Sequence, residues 1–351
     1  MAPVQLGKAD RSFMAGTVFS NLGWKSGKVL VGPGVGLDNA IISAGNGKVL
    51  LLTTDPVSMI PRLGPQLSAW LSVHLIASDY ATSGLSPEFA AFDFNFPPDM
   101  SPGGRRSYTR AMGSACKELG IAIVAGHTGS YPGAGFTVIG GGMMFGFCDE
   151  RACVNPSMAR PGDTVVMTKG AAIEAVASLA TSFPRYTATE AGTSIAEKAT
   201  RLISACSTVK DALTAATVGL GKEGITSMHD ATEGGVLGGL EEMAEASGHS
   251  MIVDKGTIPV SQEAAAVCAV FGIDPLTSLS EGTLLVTVNP RKVDELVEKM
   301  RSEGISAVAI GTVSRGVGLW VTGRNGHRAK VRHSADMYWK AYARATYAGL
   351  D

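Results

Sequence analysis

Glycine gathered in knots constrains this chain more than any other feature of its sequence. Of 351 residues, 44 are glycine, against roughly 7% in ordinary proteins. They cluster, as in Gly32-Pro33-Gly34-Val35-Gly36, Gly45-Asn46-Gly47 and Gly234-Gly235, and follow no collagen period. Such knots mark tight turns and places where backbone comes close to something. With 45% hydrophobic residues the chain can fill a buried core, which argues against wholesale disorder. Its length suits two domains of ordinary size.

Lys plus Arg number 30 and Asp plus Glu 31, so the net charge is −1. A dedicated nucleic-acid binder would carry a basic excess, and an anionic membrane surface would call for a polybasic run. Neither kind of partner is expected. The most apolar stretch, residues 136–147, holds four glycines and falls short of the ~20 apolar residues a membrane span needs. The opening MAPVQLGKAD lacks the charged start and apolar middle of a signal peptide. Five scattered cysteines (Cys116, Cys148, Cys153, Cys206, Cys268) suit a reducing cytoplasm better than a disulfide framework. Cys148 and Cys153 have no second pair or His cluster nearby, so they read as small packing residues.

Residues 28–31 are β-prone, and β character resumes at 40–42. Gly45-Asn46-Gly47 predicts a hairpin leading into a near-continuous apolar strand, 48–54, that ends at Asp55. Leu67, Trp70, Leu71, His74 and Leu75 recur at helical spacing and predict a helix over 64–77, with Asp79 just past its end. A strand follows at 90–96, closed by Pro97-Pro98, then an amphipathic helix at 103–119 and strands at 121–125 and 137–146. The polar segment 149–163, with Pro156 and Pro161-Gly162, reads as a domain junction. Beyond it the pattern predicts strands at 164–168, 250–253, 283–288, 307–312 and 317–321. It predicts helices at 171–180, 189–205, 208–219, 234–246 and 291–303. The expected architecture is α+β in two domains, 1–155 and 156–351.

Four segments end an element with an aspartate beside small residues: Asp38 in 36–40, Asp55 in 53–55, Asp79 in 78–81 and Asp230 in 229–235. One alone would be a solvated turn or helix cap. Four together could supply the loop carboxylates that a hard cation such as Mg²⁺ prefers. Thr232-Glu233-Gly234-Gly235 stands before a helix, where free N–H groups and the positive dipole end can bind an anion. Thr232 as a plain helix cap over a tight glycine turn is the equal alternative. Gly126-His127-Thr128 follows a strand, and His127 could orient phosphate, move a proton or simply be a hydrogen-bonded loop residue. The dinucleotide pattern fails at Leu37, and Gly219–Glu223 lacks P-loop spacing. No nucleophile elbow or zinc-spaced histidine pair is found.

In this order the motifs resemble the superfamily of aminoimidazole ribonucleotide synthetase, thiamine-monophosphate kinase, selenophosphate synthetase and the hydrogenase-maturation dehydratase. The hydrogenase-maturation and "synthetase-related" branches are the most similar. The resemblance spans roughly residues 25–325. It rests on Gly32-Pro33, Gly36-Leu37-Asp38-Asn39-Ala40, Thr54-Asp55, Ser78-Asp79, Gly84, Pro87 and Gly126-His127-Thr128. In the second half it rests on Arg160-Pro161-Gly162-Asp163, Asp230 through Gly235, and Ser280-Glu281-Gly282-Thr283.

The resemblance implies a homodimer formed by the first domain's sheet, with ATP and Mg²⁺ in the cleft between the domains. It implies metal ligation by Asp38, Asp55, Asp79 and Asp230, and nucleotide contacts from Gly36, Asp38, Asn39, Gly126, Thr128, Asp230, Thr232, Gly234 and Gly235. Asp55, Asp79 and His127 would serve catalysis. The implied reaction is transfer of the ATP γ-phosphoryl group to a small-molecule acceptor by a kinase, synthetase or dehydratase. A catalytically weak nucleotide-binding scaffold or maturation accessory is the alternative. Leu37 stands where many relatives carry an additional acid. The last residues, Tyr347 to Asp351, include no cysteine, so self-modification of a C-terminal cysteine is not expected in that form. The first loop lacks the reactive cysteine or selenocysteine of selenophosphate synthesis.

Overall fold

The computed structural model describes residues 6–323, 326–332 and 335–351. After a helical run over 11–21 that opens with α1 (Arg11–Phe13) comes β1 (Val29–Val31), and then the expected hairpin of β2 (Ala40–Gly45) and β3 (Lys48–Ser58). Its turn needs left-handed backbone at three consecutive residues, Gly45, Asn46 and Gly47 (φ +86°, +53° and +71°), which glycine and asparagine tolerate best. β3 runs past its expected end. It pairs with β2 only as far as Leu52, so from Thr53 onward one edge is free, and Pro56 can sit there without breaking a ladder. Asp55 therefore lies within a strand, opposite Gly142.

α2 (Gly64–Ala81) follows, then β4 (Phe89–Phe96), α3 (Pro102–Glu118), β5 (Ala122–Ser130) and β6 (Val138–Asp149). The first sheet has the order β1-β2-β3-β6-β4-β5. α2 is buried nearly all round, from Ser68 and Ala69 through Val73, Ile76 and Ala77 to Tyr80 and Ala81. A helix of that kind lies inside a molecule. One side covers the first sheet. The other meets the second half, where Ser78 Oγ accepts from the Thr208 N–H (2.9 Å) and His74 Nδ1 lies 3.0 Å from Ser207 Oγ. The helix extends a turn beyond the spacing that revealed it, and Asp79 belongs to that last turn.

The second half comprises β7 (Thr164–Thr168), α4 (Ile173–Ser182), α5 (Pro184–Ala191), α6 (Thr193–Arg201), α7 (Val209–Ala216), β8 (Ile225–Ala231) and α8 (Gly235–Ser247). It continues with β9 (Ser250–Asp254), α9 (Gln262–Phe271), β10 (Thr283–Val288), α10 (Val293–Ser302), β11 (Ala307–Ser314), β12 (Gly318–Thr322), β13 (Arg328–Val331) and α11 (Tyr338–Tyr347). The second sheet runs β13-β12-β9-β11-β7-β10-β8. The helix expected over 189–205 is divided between α5 and α6, with Gly192 (φ +95°) between them. β8, α9, β13 and α11 were not expected. β8 escapes notice because ITSMHDA is half polar, yet all seven residues are buried.

The two sheets share one core. Val49, Ile76, Phe92 and Met144 belong to the same buried cluster as Val209, Ile225, Met228 and Leu284. Gly142 sits where β6 meets α2: a Cβ there would lie 2.5 Å from Ile76 Cδ1 and 2.8 Å from the Phe92 ring. Overpacking a core by a few methyl groups costs about 1–3 kcal/mol. Gly142→Val should therefore lower the denaturant midpoint by that much at unchanged slope, measured by equilibrium unfolding.

Candidate functional site

The end of β8, together with α8, faces the first half's aspartates across the seam. Gly36 (φ +69°) turns the β1–β2 connection directly against α8, where a Cβ would lie 2.6 Å from the Glu242 carbonyl oxygen. Only glycine permits this approach, and it delivers Asp38 to β8. The Asp38 carboxylate meets His229 Nδ1 at 2.7 Å, and His229 Nε2 lies 3.0 Å from Glu242 Oε2. The imidazole, 2% exposed, is thus gripped on both nitrogens by carboxylates from two elements. Burial alone would lower its pKa, but Asp38 and Glu242 overcome that and raise it well above the ordinary histidine value. Glu242 is held down at about 2: burial pushes it up, and Lys8, His229 and Arg11 more than offset that.

Around this triad the other acids converge. Asp230 is fully buried, and neither carboxylate oxygen has a hydrogen-bond partner among the described residues. Burial, reinforced by Asp38, lifts it to about 7. Asp79 is pushed well above the carboxylate range, first by burial and then by Asp230, Asp55 and Asp38. Burial raises Asp55 to about 6 against the pull of Lys8. Glu281, before β10, is driven up by burial and by Asp230, Glu174, Asp79 and Asp55, and Glu174 reaches about 8. Each of these acids feels at least one acid of the other half, so one field joins them. Asp38, His229 and Asp230 offer ligand atoms within 4.8 Å of one another. Because both imidazole nitrogens are engaged, the oxygens of Asp38 and Asp230 are the donors open to a cation, and hard oxygen donors suit Mg²⁺. Leu37 is half-buried and brings no oxygen.

Several sequence-selected residues have other surroundings than expected. Asn39 Nδ2 donates to the Asp79 carbonyl (2.7 Å) and lies 3.1 Å from Thr82 Oγ1, so it ties the Asp38 loop to the end of α2. Thr232 does not cap α8 with its side chain; Thr232 Oγ1 accepts from Lys8 Nζ (2.7 Å). The backbone donors at the start of α8 are largely spent. Gly234 N–H goes to Asp336 Oδ2 (3.0 Å), Gly235 N–H to the Thr232 carbonyl and Leu237 N–H to the Leu276 carbonyl. The open anion site expected at Gly234 and Gly235 is therefore closed by the chain itself. Gly126, His127 and Thr128 lie within β5 rather than in a loop after it, and they are exposed. The pairing Asp55–Gly142–Phe92–Gly126 puts three strand spacings between Gly126 and Asp55, roughly 14 Å. His127 Nε2 instead meets Tyr131 OH (2.6 Å). Sequence reasoning missed His229, Glu242, Glu174 and Lys8. His229 adjoins a selected aspartate, but nothing in its spacing marks the carboxylates that grip it.

Residues 36–148 match the N-terminal domain of the AIR synthase related proteins and residues 160–322 their C-terminal domain. The chain belongs to the AIR synthase-related family. The carbamoyl dehydratase HypE of Rhizobium leguminosarum bv. viciae is 28% identical over 280 residues, 78% of this chain and 75% of that protein. The HypE chain of a HypE–HypF complex superposes with a TM-score of 0.71 at 21% identity, over 92% of this chain and 99% of the other. An AaThiL complex with AMPPCP and TMP gives 0.67 at 19%, over 94% and 98%. Among the described residues no helix is long and apolar enough to cross a membrane.

Raised carboxyl pKa values mean that the folded state holds protons the unfolded chain releases near pH 4. Stability contributed by Asp55 and Asp230 is thus full below that value and is lost as pH rises through about 6 and about 7. In cation-free buffer the melting temperature should fall between pH 4.5 and pH 8 by thermal scanning, and Mg²⁺ should restore it most at the upper end. A profile flat across this range would contradict the acid field.

Proposed function

We propose that this chain is an ATP- and Mg²⁺-dependent enzyme that transfers the γ-phosphoryl group to a small-molecule acceptor. The observation that carries the proposal is the Asp230 carboxylate, fully buried and without a hydrogen-bond partner among the described residues, among acids from the other half. A buried carboxylate in that state is costly without a proton or a cation. Asp38 and Asp230 would hold Mg²⁺, with Asp55 and Asp79 adjoining. The ion would neutralise charge on the transferring phosphoryl group. His229 keeps Asp38 aimed, and burial in the seam limits water at the acids. The relatives include a dehydratase, and one structural neighbour was solved with AMPPCP, an ATP analogue. That kinship favours nucleotide chemistry of this class; the acceptor is not specified by any motif in the sequence.

The chain is further proposed to act as a homodimer through its first sheet. α2 and α3 pack on one another and against strands of that sheet, while Phe147 and Val138 are each 54% exposed and Val124 53%. Apolar patches of this kind favour a partner surface. Phe147→Asp should shift the species in sedimentation velocity from dimer to monomer; a variant still dimeric would move the interface off this sheet, and a monomeric wild type would remove the dimer from the proposal.

Asp230→Asn and Asp55→Asn test the reaction directly. Each should reduce ATP turnover with a suitable acceptor by 10²-fold or more, and Asp230→Asn should also weaken Mg²⁺-ATP binding in calorimetry. Wild-type binding with no turnover over a broad acceptor panel would favour the scaffold alternative. No binding at all would overturn the assignment.

A further inference from the structure

Lys169 follows β7 in left-handed backbone, φ +56°, a conformation that glycine takes at lower cost. Strained residues of this kind persist only where the surrounding structure demands them. The side chain supplies the demand. Lys169 Nζ donates to the carbonyls of Ala205 (3.1 Å), Ser207 (2.7 Å) and Gly282 (2.9 Å) and lies 3.1 Å from Asp211 Oδ2 on α7. The lysine side chain is 19% exposed and that of Asp211 2%. An ammonium has three protons, and four oxygens surround this one. Charge, rather than one bond per proton, therefore defines the cage. Backbone carbonyls turned toward one point are also what replaces the hydration shell of a potassium ion.

The cage stands where parts of both halves meet. Gly282 closes the turn after Glu281. At φ +98° it is pressed so close to residue 205 that a Cβ would run into the Ala205 carbonyl oxygen. Residues 207 and 208 reach α2: Ser207 Oγ lies 3.0 Å from His74 Nδ1, and the Thr208 N–H donates to Ser78 Oγ (2.9 Å). Asp79 is the next residue along α2. One ammonium thus draws together the turn that carries Glu281 and the loop that holds the Asp79 end of α2. Without a cation, three carbonyl dipoles and a buried carboxylate would face one another in a medium of low dielectric.

We propose that Lys169 is a positioning residue whose ammonium acts as a tethered monovalent cation, fixing the Glu281 turn and the Asp79 end of α2 in place of a free ion. The protein then needs no potassium, and removing the side chain creates a site for it. The cage stands on its own contacts; its bearing on the chemistry rests on the role proposed above for the acids.

Lys169→Gly, which accepts the left-handed backbone and empties the cage, tests this in the full chain by thermal melting in potassium, ammonium or choline chloride at equal ionic strength. Wild type should melt at the same temperature in all three. Lys169→Gly should lose about 5 °C or more in choline and regain most of that loss, saturably, in potassium or ammonium. If it is unfolded in choline, recovery of the fold in potassium carries the same comparison. Lys169→Met, whose chain fills the cage without charge, should lose as much and regain nothing. For the positioning role, calorimetry should find Mg²⁺ bound about fivefold more weakly by Lys169→Gly in choline than in potassium. A loss that potassium does not reverse, or a wild type that shifts with potassium as far as the variant, overturns the tethered cation. Rescued melting with Mg²⁺ affinity unmoved by potassium overturns the positioning role. Wild type that binds no Mg²⁺ overturns the proposed reaction and the positioning role with it, while rescue in the melt still establishes the cage.

Discussion

The rest of the site depends on the buried contact Asp38–His229–Glu242. It joins a loop of the first half to a strand and a helix of the second, with 2.7 and 3.0 Å contacts on the two imidazole nitrogens. Removing the imidazole would leave two buried carboxylates facing each other, the arrangement that costs most in a protein interior. Because His229 is charged and fixed, Asp38 can remain beside Asp230 at the seam. The close approach of Gly36 to the Glu242 backbone makes this reach possible. Packing and electrostatics therefore meet at one place.

From that contact the logic runs outward. α2 is buried on both sides and carries Asp79 to the seam, where Asn39 anchors its last turn to the Asp38 loop. Burial of the acids so collected, reinforced by their repulsion of one another, raises Asp55, Asp79, Asp230, Glu174 and Glu281 above the ordinary carboxylate values. Asp336 occupies the backbone donor of Gly234, and Lys8 occupies the field of the carboxylates. Segments flanking the two family domains thus supply both an anion and a cation to the site. These flanking segments are as much a part of the site as the glycine turns.

Much of this was legible in the residues. The hairpin at Gly45-Asn46-Gly47, the helix starting at residue 64 and the four aspartates all declare themselves locally, through turn chemistry and 3.6-residue spacing. β8 did not, because its burial comes from β10 on one side and from α8 and the first half on its faces, not from its own alternation. The sequence pattern ends β5 at residue 125 because Gly126-His127-Thr128-Gly129 has the composition of a loop; pairing with β4 holds it extended. An anion site before α8 requires free donors, and whether donors are free is a question of what packs against them.

The sequence by itself determined the element kinds, the two-part order and the positions of the acids, since these follow from spacing and from the conformations glycine and proline allow. Only the tertiary structure decided which acids share a field, which histidine binds them and which backbone donors are already used. Those are contacts between residues far apart in the chain, 191 positions in the case of Asp38 and His229. Burial and charge coupling arise from such neighbours, and no local pattern encodes them.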